Sequence, residues 1–362
     1  MQAEFELSTA PGDGVDVRLA FREASPGAVM APPQGRAQVQ GSQGLELSER
    51  GWKLTGSQAA IQYTVSLPVT GERPGANHGS ALAALKDGVL VARQEAVLPA
   101  LADCALTPLS SPSWPVRLAD GLVLAGEGIA SGEYRAGETA LELCVLPGVD
   151  AGEAEALGRE LAPWAKRWAA FRMSQRGAAV RLLVSPEGNW LGLTPSHWGE
   201  VSPQWGPVAR GHALMHAGGL LARPASPAAW WAHEGIAEYC ARVEVARTGA
   251  EADRELRTWL AAAYREHGEL AVVPAELRGD RLPVVGALLA HALSTMLLAF
   301  SGGFRSIFHL VDDLNARFLG TPGYDNDDLA AALFSLTGRD FGGFVARHVL
   351  GRERLPGKGF EG

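Results

Sequence analysis

The sequence predicts an α+β protein in two parts, a β-rich N-terminal domain over residues 1–149 and a mainly helical domain over residues 150–362. Three observations carry this. The first 150 or so residues are short apolar runs broken by Gly, Pro, Ser and Asn. At Asp150 the apolar spacing changes to three and four. Beyond Pro207 the pattern is helical almost to the end.

In the first part, alternation is plainest in Ile61-Gln-Tyr-Thr-Val-Ser-Leu, the mark of an antiparallel strand with one wet face. Leu141 to Leu146 reads as the last strand of this β unit, punctuated by Pro147-Gly148. From Asp150, Leu157, Leu161, Trp164, Trp168 and Phe171 make an apolar stripe on a helix that faces a core. Ala179 to Ser185 and Trp190 to Thr194 read as two further strands. The helical run that follows breaks near Arg223 to Pro227, Glu269 to Pro283, Ser301 to Gly303, and Gly320 to Asp325.

Composition narrows the function classes. Forty acidic residues against 32 basic ones give a net charge of −8, and no Lys/Arg run is present, so no nucleic-acid partner is expected. Only four basic residues are lysines, which with abundant Ala, Gly, Pro and Arg suits a GC-rich bacterial genome. The N-terminus has acidic residues where a secretory signal needs a basic start, so the chain reads as cytoplasmic. Cys104, Cys144 and Cys240 are too widely spaced for a metal knuckle or disulfide framework, and read as small buried thiols. Leu282 to Phe300 is almost free of charge and long enough to span a bilayer, but contains His291, Ser294 and Thr295. A helix buried on all sides gives the same pattern, and no membrane partner is expected.

The chemistry gathers between His212 and Tyr239. Within a helix expected over Val208 to Leu221, His212 and His216 are four apart, so both imidazoles share one face, as metal capture from a helix requires. A Pro-containing turn leads to a second helix carrying Glu234, eighteen residues beyond His216. A helical hairpin can bring its carboxylate to the two rings, and a His, His, Glu set leaves zinc a fourth position for water.

His212 and His216, the intervening turn, and Glu234-Gly235 with Tyr239 following together resemble the gluzincin pattern of zinc peptidases, H-E-x-x-H with a third ligand on the next helix. The wording around Glu234 is most similar to the glycyl aminopeptidase family. Val285 to Leu293 resembles the apolar helix that follows the site in that family, and Thr337 through Pro356 resembles the end of its catalytic domain. The resemblance implies a thermolysin-like zincin fold for residues 150–362, and one zinc ion held by His212, His216 and Glu234. It implies that Glu238 orients a ligand histidine, and that a peptide or protein N-terminus is the substrate or ligand.

Two departures bear on catalysis. In gluzincins the residue after the first histidine is the general base, and here it is Ala213. The family's tyrosine shortly before the glycine of the apolar helix, expected to stabilise the oxyanion, is missing from Arg281 to Val285, and Tyr264 and Tyr324 lie outside the matching place. His197 and Glu200 precede the zinc helix as substitute bases, and His291 is a substitute electrophile or a core histidine. His233 is expected to be a structural or rim residue, because Ala237 stands where a further ligand histidine would be needed. The resulting expectation is a zinc-binding metallopeptidase homologue with impaired catalysis. Two alternatives stand beside it: an active aminopeptidase-like hydrolase with an unconventional base, and a metal-free peptide-binding or structural scaffold.

Overall fold

The computed structural model describes residues 1–10, 14–24, 26–33, 36–48, 51–67, 83–86, 89–100, 104–109, 114–119, 121–170, 179–188, 198–217, 220–268, 274–277, 279, 281–319, 321–357 and 360. They form two compact units. One comprises Met1–Ala130, Val145–Gly148 and Gly188–Pro195, the other Ser131–Cys144, Val149–Glu187 and Ser196–Gly362.

The first unit contains β1 (Gln2–Ala10), β2 (Gly14–Arg22), β3 (Val29–Met30), β4 (Arg36–Gln43), β5 (Leu45–Ser48), β6 (Gly51–Leu54), β7 (Ala59–Ser66), β8 (Ala83–Lys86) and β9 (Val89–Arg93). After the short helix α1 (Gln94–Val97) come β10 (Ala105–Pro108), β11 (Val116–Ala119) and β12 (Leu122–Ala125). The main sheet has the order β10-β1-β2-β7-β4, with β2 antiparallel to both β1 and β7. Alternation sets its faces: Phe5 and Leu7, Val17 and Leu19, and Ile61 and Tyr63 are buried, while Arg18, Ala20 and Arg22 are exposed. The Tyr63 ring packs edge-on against Trp52, and its hydroxyl donates to the Val97 carbonyl at 2.8 Å, satisfying the polar end of a buried side chain.

In the second unit a sheet of order β13-β14-β15-β16 is built from β13 (Ala130–Ala136), β14 (Thr139–Val145), β15 (Val180–Val184) and β16 (Trp198–Val201), the last two parallel. The strand expected over Leu141 to Leu146 exists, but it pairs into this sheet and does not close the β-rich part. A single boundary at residue 149 therefore misses an exchange of segments between the units. The cause is legible afterwards: a β-hairpin carries the same alternating signal whichever sheet it joins.

Asp150 caps helix α2 (Ala151–Ala169) by accepting from the Gly152 and Glu153 amides at 2.8 and 3.1 Å. Leu157, Leu161, Trp164 and Trp168 are its buried stripe; Phe171 and the strand expected from Trp190 lie outside the described residues. The histidine helix, α3 (Pro207–His216), is shorter than expected. It opens with Pro207 in its first turn, where no amide bond is forfeited, and it stops at His216, where Ala217 turns extended.

A short 3₁₀ turn at Pro227–Ala229 leads into α4 (Trp230–Ala246), followed by α5 (Ala250–Ala263), α6 (Arg281–Phe300), α7 (Ile307–Phe318), α8 (Asn326–Thr337) and a final turn α9 (Gly342–Phe344). The apolar α6 buries Val285 through Ala290, Leu293 and Leu297 within the unit, while Thr295, Leu298 and Phe300 at its C-terminal end are exposed. It packs on α4 at one glycine-to-glycine contact. A β-carbon added to Gly235 would stand 2.1 Å from the Gly286 carbonyl carbon, and one added to Gly286 would stand 2.3 Å from the Trp231 carbonyl oxygen.

Neither backbone can yield without separating the helices. Gly286→Ala is therefore expected to destabilise the chain by about 1–3 kcal/mol, read as a lower denaturant midpoint. A midpoint equal to the parent's would contradict this packing.

Candidate metal centre

Contacts between α3 and α4 run in opposite order along the two helices. Gly211 lies against Ala241, His212 against Glu238, and His216 against Glu234 and His233. The hairpin is thus antiparallel, and its close approach depends on Gly211, where an added β-carbon would come within 3.0 Å of both Ala241 Cβ and the Trp164 ring. One donor atom from each of His212, His216 and Glu234 falls inside a group spanning no more than 4.8 Å. Glu234 Oε2 lies 3.1 Å from His212 Nε2 and 3.6 Å from His216 Nε2. Donors bound at about 2.0–2.1 Å around a tetrahedral ion stand roughly 3.3–3.4 Å apart, so these separations fit zinc with little movement.

The remaining ring nitrogens are committed elsewhere, which fixes the direction of each lone pair. His212 Nδ1 donates to Glu238 Oε2 at 2.9 Å, and Glu238 Oε1 accepts from Arg242 Nε at 2.8 Å. His233 Nδ1 lies 3.1 Å from the Ala222 carbonyl, which can only accept, so that nitrogen carries the hydrogen. His233 Nε2 is then the acceptor for His216 Nδ1 at 2.9 Å, and His216 presents Nε2 to Glu234. Each imidazole is held by an outer acceptor, the arrangement that sets tautomer and ring orientation in metal sites.

Charges reinforce the geometry. Burial pulls His212 toward neutrality, but hydrogen bonds to Glu234 and Glu238 and their charges raise its pKa to about 9, so a metal bound at Nε2 would have to displace a proton from the ring. Burial opposes ionisation of Glu234, yet His216 and His212 hold its pKa well below the carboxylate range. Glu238 is lowered too, with His212 and Arg242 overcoming its burial. His216 and His233 go the other way: burial lowers both, and His233 lies well below the usual imidazole value. The side chains of His212 and His216 keep 18% of their exposure and Glu234 keeps 14%, so a small ion and a ligand can reach the cluster.

Of the other residues singled out in the sequence, Ala213 is buried on α3 beside the pair. Its carbonyl abuts Gly199 of β16, where a β-carbon would stand 2.5 Å away. Glu200, the next residue, points to the opposite face of that strand, is fully buried, and accepts from Ser185 at 2.6 Å. It is thereby turned away from α3. His197 lies outside the described residues. His291 has Nδ1 3.3 Å from the Tyr239 hydroxyl and packs on Phe360. Tyr264 stacks on Phe360 and donates to the Leu355 carbonyl.

Of the two places expected for His233, structural or rim, the chain takes the first: it is 1% exposed and is bonded to the His216 ring. Nothing in its sequence position announces this, because its partner depends on how the Ala222 turn folds back. Arg242 was also missed, although its place four residues after Glu238 is the ordinary signal for a helical ion pair.

No protein-family model matches the chain, and no curated protein matches it in sequence. Solved structures do match its shape. An aminopeptidase N family protein from Idiomarina loihiensis superposes with TM-score 0.69 at 14% identity, covering 99% of this chain and 77% of that one. An M1 zinc metallopeptidase from Deinococcus radiodurans gives 0.59 at 16% identity, covering 98% and 94%. A glutamate-to-alanine mutant of the M1 zinc metallopeptidase from the same organism, bound to a Tyr-Ser-Ala substrate, gives 0.60 at 16% identity with the same coverage. At these identities the likeness establishes the fold: this chain has the two-part architecture found in M1 zinc metallopeptidases.

Removing the outer acceptor of one imidazole tests the centre without touching a donor. Glu238→Ala is expected to weaken zinc binding by about 10–100-fold in competition against a chromophoric chelator. Unchanged affinity would show that His212 is oriented by something else.

Proposed function

We propose that this chain is a zinc-binding protein of the metallopeptidase kind in which peptide hydrolysis is impaired. One observation carries the reading: a complete and oriented His212, His216, Glu234 donor set stands next to a position, Ala213, that has no group able to move a proton.

The donor chemistry, two imidazoles and a carboxylate with a site left over, is that of catalytic zinc. Zinc bound there would supply Lewis-acid polarisation of a carbonyl and of water. The rest falls to the chain. His212 and His216 offer Nε2, Glu238 and His233 hold the rings, and Glu234 offers a carboxylate whose charge burial alone would suppress. A general base is typically worth about 10²–10⁴ in rate, and an alanine methyl supplies none of it. The nearby carboxylates do not replace it: Glu234 faces the imidazoles, Glu238 is shared by His212 and Arg242, and Glu200 faces away. No tyrosine stands in 281–285, and Tyr239 is turned to His291. Metal capture and proton transfer are thus separable here, the first retained and the second lost.

The ligand we infer is a peptide or protein N-terminus. The M1 zinc metallopeptidase has been crystallised as a glutamate-to-alanine mutant with L-arginine, L-tryptophan and Tyr-Ser-Ala, so a fold of this kind lacking one glutamate still holds amino acids and a peptide. The wording around Glu234 supports the glycyl aminopeptidase type within this class.

Restoring the carboxylate is the test. Ala213→Glu is expected to raise chelator-sensitive cleavage of short peptides by about 10²–10⁴ over the parent chain. If the parent already cleaves well above an Ala213→Gln control, the impaired reading is wrong.

A further inference from the structure

By its spacing, Arg242 makes an ordinary i,i+4 pair with Glu238, and on a helix surface such pairs hold loosely, with both side chains free to swing. This pair is built more tightly. The Arg242 side chain keeps 22% of its exposure, and its Nε and Nη2 both reach one carboxylate oxygen, Glu238 Oε1, at 2.8 and 2.7 Å. The other oxygen, Oε2, accepts from His212 Nδ1 at 2.9 Å. Glu238 is thus divided, one oxygen to the cation and one to the imidazole.

The guanidinium is held in turn from α5. Its Cζ lies over the Trp259 ring, 3.5 Å from the centroid, a full cation–π contact. Because a guanidinium is flat, a ring over its face leaves its edge of N–H groups to meet a carboxylate, which the point charge of a lysine does not do. Core packing alone does not call for an indole here. The residues that α5 buries are Leu260 and Ala263, whereas Trp259 beside them is only partly buried, and Arg254, Glu255, Arg257 and Thr258 ahead of it are exposed. An unbroken series of contacts therefore runs from α5 through α4 to α3: Trp259, Arg242, Glu238, His212.

We propose that Arg242 and Trp259 are positioning residues for the metal centre: the indole fixes the guanidinium, the guanidinium holds one oxygen of Glu238, and the other oxygen then keeps the His212 ring turned with Nε2 toward Glu234. The inference rests on the zinc reading above and deepens it. Both residues act through Glu238 and offer no donor atom to the metal, so their effect is on how tightly the His212 ring is held.

Zinc alone is the probe, competed against a chromophoric chelator, with the full chain and with Arg242→Met, Trp259→Leu and Trp259→Phe, each also combined with Glu238→Ala. Arg242→Met, which keeps an apolar stem on the indole but removes the fork, is expected to bind zinc about 10-fold more weakly than the parent. Trp259→Leu is expected to lose about five-fold, while Trp259→Phe, which keeps an aromatic face, stays within about two-fold of the parent. In the Glu238→Ala background, where the carboxylate they act on is gone, all three changes should alter affinity by less than about two-fold. Should Arg242→Met not fold, the two Trp259 variants alone decide. Parent-like affinity in Arg242→Met or Trp259→Leu would overturn the proposal. So would losses of the same size with and without the Glu238 carboxylate, which would mark a general loosening of the helices. A parent chain that binds no zinc at all would instead overturn the metal reading, and this inference with it.

Discussion

Backbone-to-backbone contact between Gly235 and Gly286 governs how the metal centre is assembled. Helix α4 carries Glu234 and Glu238 toward α3 while its adjoining face presses on α6, and it can do both only because α6 comes in without a side chain between. Gly211 does the same on the α3 side, letting the histidine helix approach Ala241. Donor separations of 3.1 and 3.6 Å leave little slack. A shift of α4 by the width of a methyl group would carry the carboxylate out of reach of one ring or the other. The glycine beside Glu234 is thus as much a part of the cluster as the carboxylate itself.

The second constraint is electrostatic. Buried carboxylates and imidazoles survive only when paired, and here the pairing is layered. Glu234 lies between two histidines, Glu238 between His212 and Arg242, and His233 between His216 and a backbone carbonyl. A cation arriving among these groups meets donors already oriented. Ala213 belongs to none of these hydrogen bonds, so the network does not depend on the side chain that follows His212.

Much of this was legible in the sequence, and the reasons differ by residue. The meeting of His212, His216 and Glu234 could be read because helical periodicity and a hairpin turn fix their relation within a few residues, whereas Glu238 was reached only through the resemblance to zinc peptidases. The stripe of α2 was an equally local signal. What escaped depended on distant chain. The strand read at Leu141 to Leu146 was the right element in the wrong sheet, and α3 ended a turn and a half early. His233 became an orienting residue only through the Ala222 carbonyl. Local pattern reveals which residues can do chemistry, whereas the groups that orient them are chosen by tertiary contact.

Metal capture by this donor set is what all the rest presupposes, and X-ray absorption on the zinc-loaded full chain examines it at the atoms concerned. The expected spectrum is one zinc per chain with two imidazole nitrogens and oxygen donors at about 2.0–2.2 Å and no sulfur, with the imidazole scattering reduced in His216→Ala. A chain that retains no zinc, or a shell that His216→Ala leaves unaltered, would contradict the assignment of this centre.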